Sequence, residues 1–156
     1  MIEEVELDHP AVLDLRTTMS DEMATLYGRP RHSVPGEVID PASILATLLV
    51  RDDGVPVATA ALRRLGDDVE VKRMYVAPAG RGRGLAGELL TDLERRAAAA
   101  GASRVLLHTG LRQQAAIALY RRRGYVEIPV FAPYLDVPES ICFARSLPVE
   151  DDGRTE

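Results

Sequence analysis

Apolar positions along this chain change their spacing several times, and each change marks an element. Val12, Leu15, Met19, Met23 and Leu26 recur at helical intervals in "PAVLDLRTTMSDEMATLYG", and Gly28 ends the run. A short strand in "EEVELDHP" precedes that helix. The following "RPRHSVPGEVIDP" is rich in proline, glycine and charge, as a loop is. "ILATLLVRDDGVPVATAALRRLGDDVEVKRMYV" breaks at "DDG" and "GDD" into three runs of β-type residues, which predicts an antiparallel meander with tight turns. A glycine-rich loop, "APAGRG", leads to a helix from about Gly84 to Ala100, with Gly101 beyond its end. "RVLLHTG" reads as a buried strand, "RQQAAIALYRRR" as a helix stopped by Gly124, and "YVEIPVF" and "ICFARSL" as two more strands. "PVEDDGRTE" reads as a frayed tail.

No repeat or linker interrupts this order, and 156 residues suffice for one core, so the chain reads as a single domain over 1–147 with a tail at 148–156. Hydrophobic residues at 46% and charged residues at 28% exclude a disordered chain. The apolar runs are too short to span a membrane, and the acidic start "MIEEVELDHP" lacks the character of a secretory leader. A net charge of −5 argues against nucleic acid and anionic membrane as partners. The single cysteine, Cys142, cannot form an intrachain disulfide and fits a reducing cytoplasm, where a small buried hydrophobe is its expected role. His9, His32 and His108 lack metal-ligand spacing, so no metal is expected.

The chemistry begins at "GRGLAG", Gly82 to Gly87, which satisfies G-x-G-x-x-G between a strand and a helix. A dinucleotide-binding reading of it fails on context. Ala77 to Arg81 separate the strand from the first glycine, and the next strand ends in His108, Thr109 and Gly110 rather than in an acid. The physics of the turn remains. Glycines let backbone approach a ligand, and the first turn of the helix offers unpaired N–H groups at the positive end of its dipole. That is a pyrophosphate cradle, whatever carries the pyrophosphate.

Read from Arg81, "RGRGLA" is R-x-x-G-x-A after a strand ending in "VAP". Downstream, "QQAAIALYRRRGY" places Ala116, Leu119, Tyr120, Gly124 and Tyr125 in the pattern N-x-x-A-x-x-L-Y-x-x-x-G-[FY], with Gln113 where asparagine is usual. With these two motifs the chain resembles the GCN5-related N-acetyltransferase (GNAT) family over roughly Ile44 to Leu147. The resemblance implies an α/β (α+β) fold: a mixed, mainly antiparallel six- to seven-stranded sheet splayed at its centre, with helices on both faces. It implies direct acyl transfer from acetyl-CoA to a primary amine of a small molecule or peptide, and a homodimer is a state its members often adopt. A CoA-binding sensor that has lost turnover is the alternative of a different class.

The resemblance also assigns roles. Backbone amides of Arg81, Gly82, Gly84, Leu85 and Ala86 would hold the pyrophosphate, with charge-assisted help from the side chains of Arg81 and Arg83. The Met74–Tyr75–Val76 backbone would pair with the pantetheine arm as an added strand. Gln113, Ala116 and Tyr120 share one helix face, where a small alanine lets the cofactor approach. Arg121, Arg122 and Arg123 sit in the last helical turn, which favours cations whatever the function, and Arg122 or Arg123 could touch a CoA phosphate. Tyr120 is the expected general acid toward the thiolate, although an ordinary phenol makes that transfer uphill by roughly 2 kcal/mol. As bases, Glu70, His108 and solvent water all stay open, Glu70 lying eleven residues before Arg81. "KRMYV", "HTGLRQ" and "FAPYLDVPESICF" resemble one bacterial subgroup of the family, which usually carries glutamate before Thr-Gly, so His108 is a departure. Phe131, Tyr134, His108 and Tyr27 are expected around the acceptor.

Overall fold

The computed structural model describes residues 1–28 and 39–148. His32, most of the proline-rich loop and nearly all of the tail lie outside the described residues. The order of elements is β1 (Ile2–Val5), α1 (Pro10–Tyr27), β2 (Ile44–Asp52), β3 (Val55–Leu65), β4 (Asp68–Val76), α2 (Leu85–Ala99), β5 (Arg104–Gly110), α3 (Gln114–Arg122), β6 (Val126–Ile128) and β7 (Ser140–Ser146). The seven strands form one sheet in the order β1-β2-β3-β4-β5-β7-β6. Only β4 and β5 run parallel, and every other neighbouring pair is antiparallel. That is the mixed, mainly antiparallel architecture expected. No helix among the described residues is long and apolar enough to cross a membrane.

Alternation along the strands sorts the two faces. Leu48 and Val50 of β2, Val69 and Val71 of β4, Val105 and Leu107 of β5 and Phe143 of β7 bury against α2 and α3 through Leu89, Leu90, Leu93, Ile117 and Tyr120. Leu49 and Tyr75 face the other way and pack with Val12 and Leu15 of α1. The strand expected from Tyr125 to Phe131 is shorter, Val126–Ile128, because Pro129 has no N–H to extend the ladder.

One contact fixes how α1 meets the sheet. A Cβ built on Gly110, at the end of β5, would lie 1.6 Å from the Tyr27 hydroxyl and 2.6 Å from its Cζ. Arg112 adds to this junction by stacking on the Tyr27 ring at 5.5 Å and donating to the Leu26 carbonyl at 3.3 Å. Gly110→Ala is therefore expected to expel Tyr27 and destabilise the protein by about 1–3 kcal/mol. Thermal melts check this, and Tyr27→Ala in the same background should recover most of the loss.

Candidate active site

The sheet opens between its two parallel strands. β4 and β5 share only the rungs Val69–Val105, Glu70–Leu106 and Val71–Leu107, although the strands continue to Val76 and Gly110. Beyond Val71, β4 keeps its pairing with β3 on one side, and β5 keeps β7. The divergence begins where Arg73 adopts φ 54°, beside a shift of register between Thr59 and Ala61. An extra residue of this kind bends and twists its strand. Ala77 donates to the Val57 carbonyl on β3. By alternation Tyr75 also addresses β3, while the backbone groups of Met74 and Val76 address the cleft. An extended arm could pair with them there.

The glycine cradle closes the far end of that cleft. After β4, residues Pro78–Gly80 make a single 3₁₀ turn, Gly82 takes φ 78°, and Gly84 takes φ 73° as the N-cap of α2. A Cβ on Gly82 or Gly84 would meet nothing within 4 Å, so both are needed for backbone conformation and the space before them is open. The carbonyl of Gly84 accepts the first helical bond, from Glu88 at 3.1 Å. The N–H groups of Leu85, Ala86 and Gly87 then have no partner within the helix.

The arginines near the cradle are already engaged. Arg81 grips both oxygens of Glu22 on α1 at 2.8 and 3.0 Å and donates through Nε to the Val76 carbonyl at 3.0 Å. Arg83 is held by Asp52 at 2.9 Å and by the Ala79 carbonyl at 2.7 Å. Arg123 bridges α3 to Thr91 and Glu94 of α2 at 2.7 and 3.1 Å. In this arrangement the cradle's uncommitted donors are backbone amides. Glu22, which also accepts from the Tyr75 hydroxyl at 2.7 Å, ties α1 to the glycine loop through Arg81. Its place on an ordinary amphipathic helix gave no sign of that role.

Tyr120 stands on the α2/α3 side. It is buried, its ring packs near Tyr125 and Phe143 at centroid distances of 6.0 and 5.9 Å, and burial pushes its phenol up to about 12. Its hydroxyl makes no hydrogen bond among the described residues. Among the described residues the sealed hydroxyl without a partner on this side belongs to Tyr125, whereas that of Tyr120 is not sealed and stays open to a ligand atom. Gln113 is the N-cap of the same helix, and its side-chain nitrogen reaches the Gly110 junction.

On the α1 face the foot of the cleft holds a buried polar cluster. Glu70 is fully buried, and Oε1 accepts from Arg63 Nε at 2.8 Å, with Nη2 of the same guanidinium 2.7 Å away as an ion pair. Oε2 accepts from the Tyr134 hydroxyl at 2.7 Å, and Lys72 Nζ donates to that same hydroxyl. The His108 ring stacks flat on Tyr134, 3.7 Å between centroids at 3°, and its Nε2 lies 2.8 Å from the Ser140 hydroxyl. Burial raises the Glu70 carboxyl above its ordinary value, with Lys72, Tyr134 and Arg63 opposing. Glu70, Tyr134 and His108 are thus brought together as expected, and Arg63, Lys72 and Ser140 join them. Two-residue spacing put Lys72 on the Glu70 face of β4, which was the readable signal. Phe131 touches Tyr134 edge-on at 5.5 Å but also lines a hollow of about 440 Å³ with Leu65, Asp68 and Arg104. That hollow sits at the start of β4 and β5, the end away from the cradle. Cys142 is buried, as expected, and burial raises its thiol. Among the described residues no three His, Cys, Asp or Glu cluster to hold a metal.

Comparison with known proteins agrees with this geometry. The family model described as the Acetyltransferase (GNAT) family matches residues 13–125. A curated relative, an IAA acetyltransferase from Azospirillum brasilense, is 39% identical over 102 residues, 64% of this chain and 67% of that protein. A solved structure described as an acyl-CoA N-acyltransferase, from Klebsiella pneumoniae, superposes with a TM-score of 0.81 at 28% identity, covering 95% of this chain and 97% of that one. A GNAT acetyltransferase from Elizabethkingia anophelis, solved with acetyl-CoA bound, shares the fold with a TM-score of 0.68 at 18% identity, covering 94% and 97% of the two chains. With its splayed sheet, its glycine cradle and a family match over most of its length, the chain belongs to the GNAT family of acetyltransferases.

Proposed function

We propose that this enzyme moves an acetyl group from acetyl-CoA directly to a primary amine of a small molecule or peptide. The observation that carries the reading is the cleft between β4 and β5, bounded by an open glycine cradle at one end and flanked on the α2/α3 side by Tyr120. Both features fit an acyl-CoA. Amides from Gly82 to Ala86 would hold its pyrophosphate at the positive end of α2, and Met74 and Val76 would hold its arm as an added strand. A backbone N–H of that segment meets the negative charge that builds on the carbonyl oxygen. Tyr120 supplies a hydrogen bond to the leaving sulfur. The acceptor then approaches from the α1 face, because α2 and α3 cover the other.

Parallel thermal shifts with acetyl-CoA and with NADH test the cofactor, and stabilisation by acetyl-CoA alone is expected. Thiol release over a panel of amines then tests turnover, with IAA included because of the relative's name. Acetyl-CoA binding without turnover on any acceptor would favour a CoA sensor instead.

A further inference from the structure

We propose that the proton shed by the acceptor amine leaves through the Tyr134 hydroxyl to Glu70, so that Tyr134, and not Glu70, meets the amine. The inference rests on the acyltransferase reading above. Glu70 has no exposed surface, and both of its oxygens are engaged, one by Arg63 and the other by Tyr134. A carboxylate sealed in this way cannot touch a substrate. It can take a proton only from a group already bonded to it, and Tyr134 is the donor on Oε2.

The position of Tyr134 suits the task. Lys72 and His108 are the first residues of β4 and β5 beyond the last shared rung, Val71–Leu107. Tyr134 spans them, bonded to Lys72 and stacked on His108, and is itself buried but keeps 6% of its surface exposed where Glu70 keeps none. A phenol accepts at two lone pairs and donates once, which lets it receive a proton on one side while giving one on the other.

The step balances as follows. An N–H bond of the attacking amine breaks, and that proton goes to Tyr134 Oη. The Tyr134 O–H bond breaks in concert, and its proton goes to Glu70 Oε2, leaving a neutral phenol, a neutral carboxyl and an amine nitrogen that keeps its electron pair. The groups facing Glu70 are Arg63 from β3, Lys72 from β4, Cys142 from β7 and Tyr134 itself, with His108 from β5 stacked on the Tyr134 ring. Burial that raises the Glu70 carboxyl makes it the better proton acceptor.

Tyr134→Phe keeps the ring stack and removes only the hydroxyl. With a strongly basic alkylamine its kcat should fall roughly 10- to 100-fold, the low end of acid–base catalysis. With a weakly basic aromatic amine it should stay within a few-fold of wild type, and KM for acetyl-CoA should hold in both cases. Glu70→Gln should show the same dependence on the amine, and the double variant should be no slower than the slower single one. Equal losses on both amines, additive losses, or an undiminished Tyr134→Phe would make the cluster a brace for its loop and overturn the relay. Should Glu70→Gln not fold, the amine dependence of Tyr134→Phe decides alone. The two amines are drawn from those the wild type acetylates; a wild type that binds acetyl-CoA by calorimetry yet acetylates no amine of the panel overturns the acyltransferase reading, and the relay with it.

Discussion

Gly84→Asp is expected to bind acetyl-CoA at least about 100-fold more weakly than wild type while remaining folded. At φ 73° any side chain is strained, but aspartate visits that region more readily than most residues, at a cost of about 1 kcal/mol. Nothing lies within 4 Å of the new Cβ, so the protein itself does not resist the change. A carboxylate at this N-cap can even help α2, because it satisfies first-turn amides at the positive end of the dipole. Those amides are the proposed pyrophosphate donors. The variant therefore carries its own competitor, and each charge-assisted bond it takes is worth about 1.5–3 kcal/mol. Two such losses already exceed 100-fold. Titration calorimetry with acetyl-CoA measures the effect, and Gly84→Ala, which adds strain without charge, should lose less. Wild-type affinity in a folded Gly84→Asp protein would remove this loop from the cofactor site.

The cradle was legible because its physics is local. Glycine at Gly82 and Gly84 and the helix after them follow one another along the chain, as do the alternating runs of the meander. The bend that opens the sheet was not legible. It rests on Arg73 at positive φ, and arginine carries no local preference for that conformation. The polar cluster was half legible. Glu70, His108 and Tyr134 were singled out one at a time, but Tyr134 lies 64 residues from Glu70, and no periodicity spans that separation. For the same reason the sequence leaves Glu70 open as a base beside His108 and water, and does not show that its neighbours seal it completely. Arg81 illustrates the converse limit. Its motif position suggested a phosphate ligand, but the partner that holds it, Glu22, comes from a helix 59 residues away.

Tyr120→Phe is expected to lower kcat about 10- to 100-fold and, at the same time, to leave the protein as stable as wild type. The phenol near 12 is a far weaker acid than a thiol of about 8.5, so complete proton transfer to the leaving sulfur is uphill by about 5 kcal/mol. A hydrogen bond is not uphill. Donated to a sulfur as its charge builds, it is worth about 1.5–3 kcal/mol, which sets the expected fall. KM for acetyl-CoA should change little, because the bond strengthens only as the thiolate forms. The phenol keeps its proton until about pH 12, so the alkaline side of the wild-type profile below that should persist unchanged in the variant. An acyl donor with a more acidic thiol should recover part of the loss. Stability should hold because the ring contacts with Tyr125 and Phe143 survive, and the hydroxyl removed makes no hydrogen bond that the fold would lose. A packing residue would show the reverse: turnover within a few-fold of wild type and, if anything, a lower melting temperature. Melting curves and initial rates on one preparation therefore distinguish a hydroxyl kept for the sulfur from a tyrosine kept for its ring.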